Sequence, residues 1–132
     1  MGENYRITNF DAFLGTAKLE NASYLAPELI RGDWDIKNDI WSVGVLMYTM
    51  LTGHPPFWGE NYKDIFKLIT TFKFDNSNLR WQALSLEARD LILKMMTPVP
   101  KDRLDATDAL NHPWFQKAIR GDYDHLTLDD AL

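Results

Sequence analysis

The chain has 132 residues, the size of one domain or of one lobe of a larger domain. Its hydrophobic fraction of 45% excludes a disordered chain, and the lack of cysteine excludes a disulfide framework or a thiolate metal site. A net charge of −5 argues against general binding to nucleic acid or to anionic membranes. Because the first residues also contain no apolar run typical of a signal peptide, we expect a cytoplasmic protein in a reducing compartment.

The predicted elements begin with a strand and continue with helices. Residues 5–10 alternate bulky apolar and polar side chains, which is typical of a short strand. Residues 11–24 follow no period and predict a loop. Residues 26–30 predict one helical turn, with Pro27 early in it, where its missing N–H costs little.

An apolar run between positions 40 and 51 predicts the central helix of the protein. Its apolar residues fall on all sides of a 3.6-residue period, so the rest of the chain must wrap around it. Asp35 and Asp39 precede it, where the helix dipole favours negative charge, and Gly53 followed by Pro55 ends it. A membrane span would need ~20 apolar residues, which is more than this run contains.

Three further helices are predicted after the central one. The first begins near Asn61, the second has Ser85 as its N-cap, and the third is capped by Asp105 and ends at Pro113. Trp81, in the stretch between the first two, is predicted to anchor that stretch in the core. The last residues, 121–132, form an acidic tail.

Four motifs in register then carry a family resemblance. They are Ala26-Pro27-Glu28, Asp39-Ile40-Trp41-Ser42-Val43-Gly44, Gly53-His54-Pro55-Pro56-Phe57 and, after Arg103, Asn111-His112-Pro113-Trp114-Phe115. Together they resemble the C-terminal lobe of a eukaryotic protein kinase, in particular the calcium/calmodulin-dependent serine/threonine group, which includes the phosphorylase kinase catalytic subunit and calcium-dependent kinases. The resemblance implies a mainly α fold, the helical C-lobe without the N-lobe and catalytic loop. It places a partial kinase domain at residues 1–120, before the acidic tail.

The resemblance also implies structural and docking roles for individual residues. In the family, the glutamate at Glu28 pairs with the arginine at Arg103, and the aspartate at Asp39 accepts hydrogen bonds from the backbone of the catalytic loop. The simpler interpretations are surface charges for the pair and a helix-dipole acid for Asp39. Asn21 and Tyr24 fall in the substrate-docking stretch, where Asn21 replaces the family's threonine.

The chain lacks the motifs that phosphoryl transfer requires. It contains no G-x-G-x-x-G loop and no His-Arg-Asp motif, so we assign no catalytic residue and no metal ligand. Asn9 occupies the magnesium and ATP position of the family's Asp-Phe-Gly, unless that alignment is out of register, and its neutral carbonyl is a weaker magnesium ligand than a carboxylate. We therefore expect no cofactor for this chain, although the family uses ATP and magnesium.

Two classes of function remain open. The chain is either the C-lobe portion of a serine/threonine kinase, inactive by itself, or part of a pseudokinase that acts as a protein-binding scaffold. An unrelated helical interaction domain is nearly excluded by the four motifs. Expected partners are a protein or peptide substrate, a regulatory protein, or a second copy of the chain. The last follows because Trp41, Val45 and Tyr48 are expected to lack the elements that cover them in a complete kinase.

Overall fold

The computed structural model describes residues 19–121, and each regular element in that range is helical. The predicted strand at residues 5–10 and the acidic tail beyond Gly121 lie outside the described residues. A 3₁₀ helix at Leu19–Tyr24 comes first and a second at Pro100–Asp102. The α-helices are α1 (Pro27–Ile30), α2 (Asn38–Thr52), α3 (Tyr62–Thr70), α4 (Leu79–Ala83), α5 (Leu86–Met95), α6 (Ala106–Leu110) and α7 (Pro113–Ile119).

The central helix α2 forms as predicted and the other elements pack around it. It contacts α4, α5 and the first 3₁₀ helix, and it ends at Gly53, whose positive φ of 79° is unfavourable for residues with a side chain. Gly44 faces α5, where an added Cβ would lie 2.9 Å from Met96 Cγ. A side chain at position 44 would therefore push α5 away from the central helix.

The aromatic side chains of α2 form the centre of the core. Trp41, Val45 and Tyr48 are all completely buried, so the expectation that they lie uncovered is wrong. Trp41 stacks on Phe57 with ring centroids 5.7 Å apart, and Tyr48 lies 5.2 Å from the ring of Trp81, the predicted anchor. The residues that bury this face come from both sides of α2 in the sequence, since the same cluster includes Ala22 and Ala26.

A hydrogen bond also fixes the polar end of one core aromatic residue. The hydroxyl of Tyr48 donates to the main-chain carbonyl of Asp75, in the segment between α3 and α4. Burial, with a smaller contribution from the charge of Asp75, raises the pKa of Tyr48 well above its usual value near 10. The hydroxyl therefore stays protonated and keeps its role as a donor.

The predicted N-caps Ser85 and Asp105 are present, and Asn61, near which a helix was predicted to begin, is a third N-cap. Asn61, Ser85 and Asp105 each accept a hydrogen bond from the main-chain N–H three residues later, at 2.9, 3.1 and 2.8 Å. Pro113 differs from its prediction, because α6 already ends at Leu110 and Pro113 is the first residue of α7. A proline at the first helical position has no N–H to leave unpaired, so starting a helix suits it as well as ending one.

Side chains connect α7 to α5. The Nδ1 atom of His112 accepts from the N–H of Trp114 at 3.1 Å, and its Nε2 lies 2.7 Å from Asp90. The hydrogen bond with His112, and a weaker contribution from Lys94, hold the pKa of Asp90 below its usual range. A second ion pair between the helices joins Lys117 to Glu87 at 2.7 Å.

Across residues 19–121, no helix has both the length and the apolar character needed to cross a bilayer.

Candidate functional site

The structure brings together Glu28 and Arg103, which are 75 positions apart in the chain. Glu28 lies in the first turn of α1, and Arg103 follows the second 3₁₀ helix. Two parallel hydrogen bonds join them, from Nη1 to Oε2 at 2.8 Å and from Nη2 to Oε1 at 2.9 Å. The Arg103 side chain is fully buried and that of Glu28 is 8% exposed. The geometry is the bidentate form that makes arginine–carboxylate pairs strong and directional.

Three main-chain carbonyl groups complete the surroundings of Arg103. Its Nε donates to Thr97 at 2.8 Å, Nη1 to Lys37 at 2.8 Å and Nη2 to Pro98 at 3.3 Å. A guanidinium has five N–H donors, so each of them is used. The guanidinium carbon also lies 5.3 Å from the ring centroid of Trp41, within reach of a cation–π interaction. Arg103 thus connects α1, the loop before α2 and the loop after α5.

Asp39 has a different position from the pair. It lies exposed in the first turn of α2, and its carboxylate makes no hydrogen bond or ion pair within the described part of the chain. It faces a groove of about 420 Å³ whose other walls include Lys37 and Asp105. The described residues thus show a helix-dipole acid beside an open groove, and the bracing of a catalytic loop stays a prediction.

The neighbouring residue Asn38 was not singled out by the sequence. It is buried, yet neither atom of its side-chain amide has a hydrogen-bond partner, and the indole Nε1 of Trp41 is also buried and unpaired. Unpaired buried polar groups are unfavourable and point to a specific constraint. The sequence feature that could have marked Asn38 is a polar residue at the start of a helix that is apolar on all sides.

The two predicted docking residues lie on the first 3₁₀ helix. Asn21 is exposed and Tyr24 is half-buried. The Tyr24 carbonyl accepts from the hydroxyl of Ser42 on α2 at 2.8 Å, and the buried Ser23 hydroxyl donates to the Phe57 carbonyl at 2.9 Å. This segment is therefore fixed against the central helix, with Asn21 directed away from the core.

The magnesium and ATP position, Asn9, lies outside the described residues. Within residues 19–121, no group of three or more acidic or histidine side chains is arranged to hold a metal ion.

One face of α2 remains apolar and open to solvent. Val43, Leu46 and Met50 are 47%, 46% and 58% exposed and recur at the spacing of one helical face. They line a groove of about 270 Å³, which we call the α2 groove. Its other walls are formed by residues of α2, α5 and α7, namely Met47, Leu51, Met95, Trp114 and Phe115. The uncovered face of α2 is therefore not the one that the sequence predicted.

Comparison with known proteins agrees with this architecture. The model of the protein kinase domain family matches residues 6–115, and the chain belongs to this family. It is 41% identical over 112 residues to calcium-dependent protein kinase 34 of Arabidopsis thaliana, a match that covers 85% of this chain and 21% of the relative.

Two further relatives have the same relation to the chain. Calcium-dependent protein kinase 29 of Arabidopsis thaliana is 45% identical over 94 residues, covering 71% of this chain and 18% of the relative. Calcium-dependent protein kinase 5 of Plasmodium berghei (strain Anka) is 40% identical over 109 residues, covering 83% and 19%. The chain thus spans about a fifth of the length of these curated relatives.

The buried pair predicts a large effect on stability. Arg103→Ala should lower the free energy of unfolding by about 3–5 kcal/mol, because Glu28 is left as an uncompensated buried charge. Arg120→Ala is the matched control, since Arg120 is exposed, and it should change stability by less than about 0.5 kcal/mol. Arg89 would be a poorer control because its Nε atom is buried. Urea unfolding measures both, and equal midpoints at equal m-values would contradict the prediction.

Proposed function

We propose that this chain is the C-lobe portion of a serine/threonine protein kinase and is catalytically inactive by itself. The observation that carries the proposal is the buried Glu28–Arg103 pair, the arrangement that the family resemblance predicted for an activation segment tied to the C-lobe. The names of the relatives support a kinase that responds to calcium. In this proposal residues 1–120 form the partial kinase domain, and residues 121–132 are a tail outside it.

The proposed inactivity follows from the chemistry of phosphoryl transfer. The reaction needs a loop and a lysine on the ATP phosphates, an aspartate near the substrate hydroxyl, and charged magnesium ligands. The 132 residues contain neither the glycine-rich motif nor the His-Arg-Asp motif. Asn9 stands at the proposed magnesium and ATP position and offers only a neutral carbonyl. ATP and magnesium therefore belong to the proposed function of a complete kinase.

The proposed partners are proteins. The exposed Asn21 and the half-buried Tyr24 lie on a segment held against α2, which suits the docking of a substrate peptide or of a regulatory protein. The lack of cysteine agrees with a reducing, cytoplasmic location.

A protein-binding scaffold of the pseudokinase type is the second candidate, and the α2 groove favours it. Burying a large apolar side chain contributes about 1.5–3 kcal/mol, so covering three that are half exposed contributes roughly 2–4 kcal/mol. Such a continuous apolar surface marks an interaction site. Three methionines, Met47, Met50 and Met95, line it, and their flexible side chains adapt to different partner shapes. The proposed occupants are the remaining part of a longer kinase or a second copy of this chain.

Phosphotransfer can be tested directly. The purified chain, mixed with labelled ATP, magnesium and a serine/threonine peptide library, should give no incorporation above a buffer blank, because the phosphate-binding and proton-accepting groups are absent. Incorporation that is abolished by Asn9→Ala would contradict the proposed inactivity.

Association is tested by sedimentation velocity at several protein concentrations. We expect a concentration-dependent shift to larger species, since the open α2 groove is apolar. Leu46→Glu should return the chain to a monomer, because it places a charge in the groove. Lys63→Glu introduces the same residue at an exposed position of α3 and should leave the association unchanged. A monomer at every concentration would show that the α2 groove does not pair two copies.

A further inference from the structure

A second groove lies on a different face, between the loop that precedes α2 and the loop that follows α5. It has a volume of about 360 Å³. Trp34, which is 76% exposed, lines it together with Pro98, Val99 and Pro100. We call this the Trp34 groove. The exposed indole offers an aromatic face beside the apolar side chains of residues 98–100.

The backbone on both sides of the Trp34 groove is fixed by hydrogen bonds. The loop after α5 is held by Arg103, which donates to the carbonyls of Thr97 and Pro98. The other loop is held by the same guanidinium through the carbonyl of Lys37, and the N–H of Asp33 donates to the Glu28 carbonyl at 2.9 Å. The backbone around Trp34 is thus held in place, so binding a partner there would cost little conformational entropy.

The charge of the groove indicates what kind of group it would accept. Asp35 is half-buried, and its Oδ1 accepts only the main-chain N–H of Lys37, at 2.8 Å. Its carboxylate forms no ion pair with any residue in the range that the structure describes. Asp33 is a second aspartate in the lining, and the third lining carboxylate, Glu28, is paired with Arg103. Arg31 is the one cation among the described lining residues. One Nη of Arg31 donates to the Thr70 carbonyl at 3.3 Å.

We propose that the Trp34 groove docks an arginine-bearing segment of a partner protein. A guanidinium is flat and weakly hydrated, so it can stack on the exposed indole face of Trp34 while its edge donates to the carboxylate of Asp35. The apolar wall at 98–100 then contacts the arginine methylenes. An acidic segment is disfavoured by the two aspartates, and a purely apolar one would bury Asp35 without a partner. This inference does not depend on phosphotransfer.

The test uses the full 132-residue chain and three blocked tripeptides, Ac-Gly-X-Gly-NH₂ with X as arginine, citrulline or glutamate. Citrulline has the shape of arginine without its charge. The readout is the NMR signal of the Trp34 indole N–H, identified by its loss in Trp34→Phe. We expect a saturable shift with the arginine peptide and none with the other two peptides.

Three variants sharpen the test. Asp35→Asn removes the charge but keeps an oxygen for the Lys37 N–H, and it should raise the Kd of the arginine peptide about two- to fivefold. Arg31→Gln removes the competing cation and should lower the Kd. Glu60→Gln, an exposed acid outside the groove, should leave the Kd unchanged.

Several results would overturn the proposal. An equal shift with the citrulline peptide would show that charge is not recognised, and a stronger response to the glutamate peptide would show the opposite preference. An unchanged Trp34 signal at saturating arginine peptide, or weaker binding in Arg31→Gln, would show that this groove is not the site.

Discussion

The fold depends on a buried guanidinium whose hydrogen bonds must all be made at once. Arg103 has no access to water, so any N–H without an acceptor would remain unpaired in the core. The two oxygens of Glu28 and three carbonyls meet this requirement, and they come from three separate segments. Because lysine has a compact ammonium and no planar fork, it could not replace this set of contacts. The same guanidinium fixes both sides of the Trp34 groove, which links the core to a surface feature.

Packing around α2 explains why one face of this helix is buried and another is exposed to solvent. Trp41 stacks on Phe57 and Tyr48 contacts Trp81, and the same cluster includes Ala22 from before α2. Gly44 permits the close approach of α5. Among the described elements, only α5 and α7 lie beside the stripe formed by Val43, Leu46 and Met50. Relatives of this chain are about five times as long as the matched segment, so further protein is available in them to cover such a face. The described region thus has a buried core and one apolar face of α2 that is exposed to solvent.

Much of this architecture could be predicted from local patterns, and the misses have physical reasons. The central helix and the caps at Ser85 and Asp105 follow from periodicity and from side-chain oxygens. Periodicity shows that α2 is apolar on all sides, but not which neighbours cover each side, so the exposed face was assigned wrongly. The five-residue α4 is too short to show a period, so no helix was predicted there. The long-range pairing of Glu28 with Arg103 was predicted only by family resemblance, because no local pattern links residues so far apart.

A double-mutant cycle measures whether Glu28 and Arg103 stabilise the fold as one unit. Glu28→Ala, Arg103→Ala and the double variant are unfolded in urea under identical conditions, and their free energies of unfolding are compared. We expect strong coupling, with the double variant no less stable than Arg103→Ala alone and an interaction energy above about 1.5 kcal/mol. If the effects of the two substitutions add within about 0.5 kcal/mol, the two residues stabilise the fold independently and the expected coupling is absent.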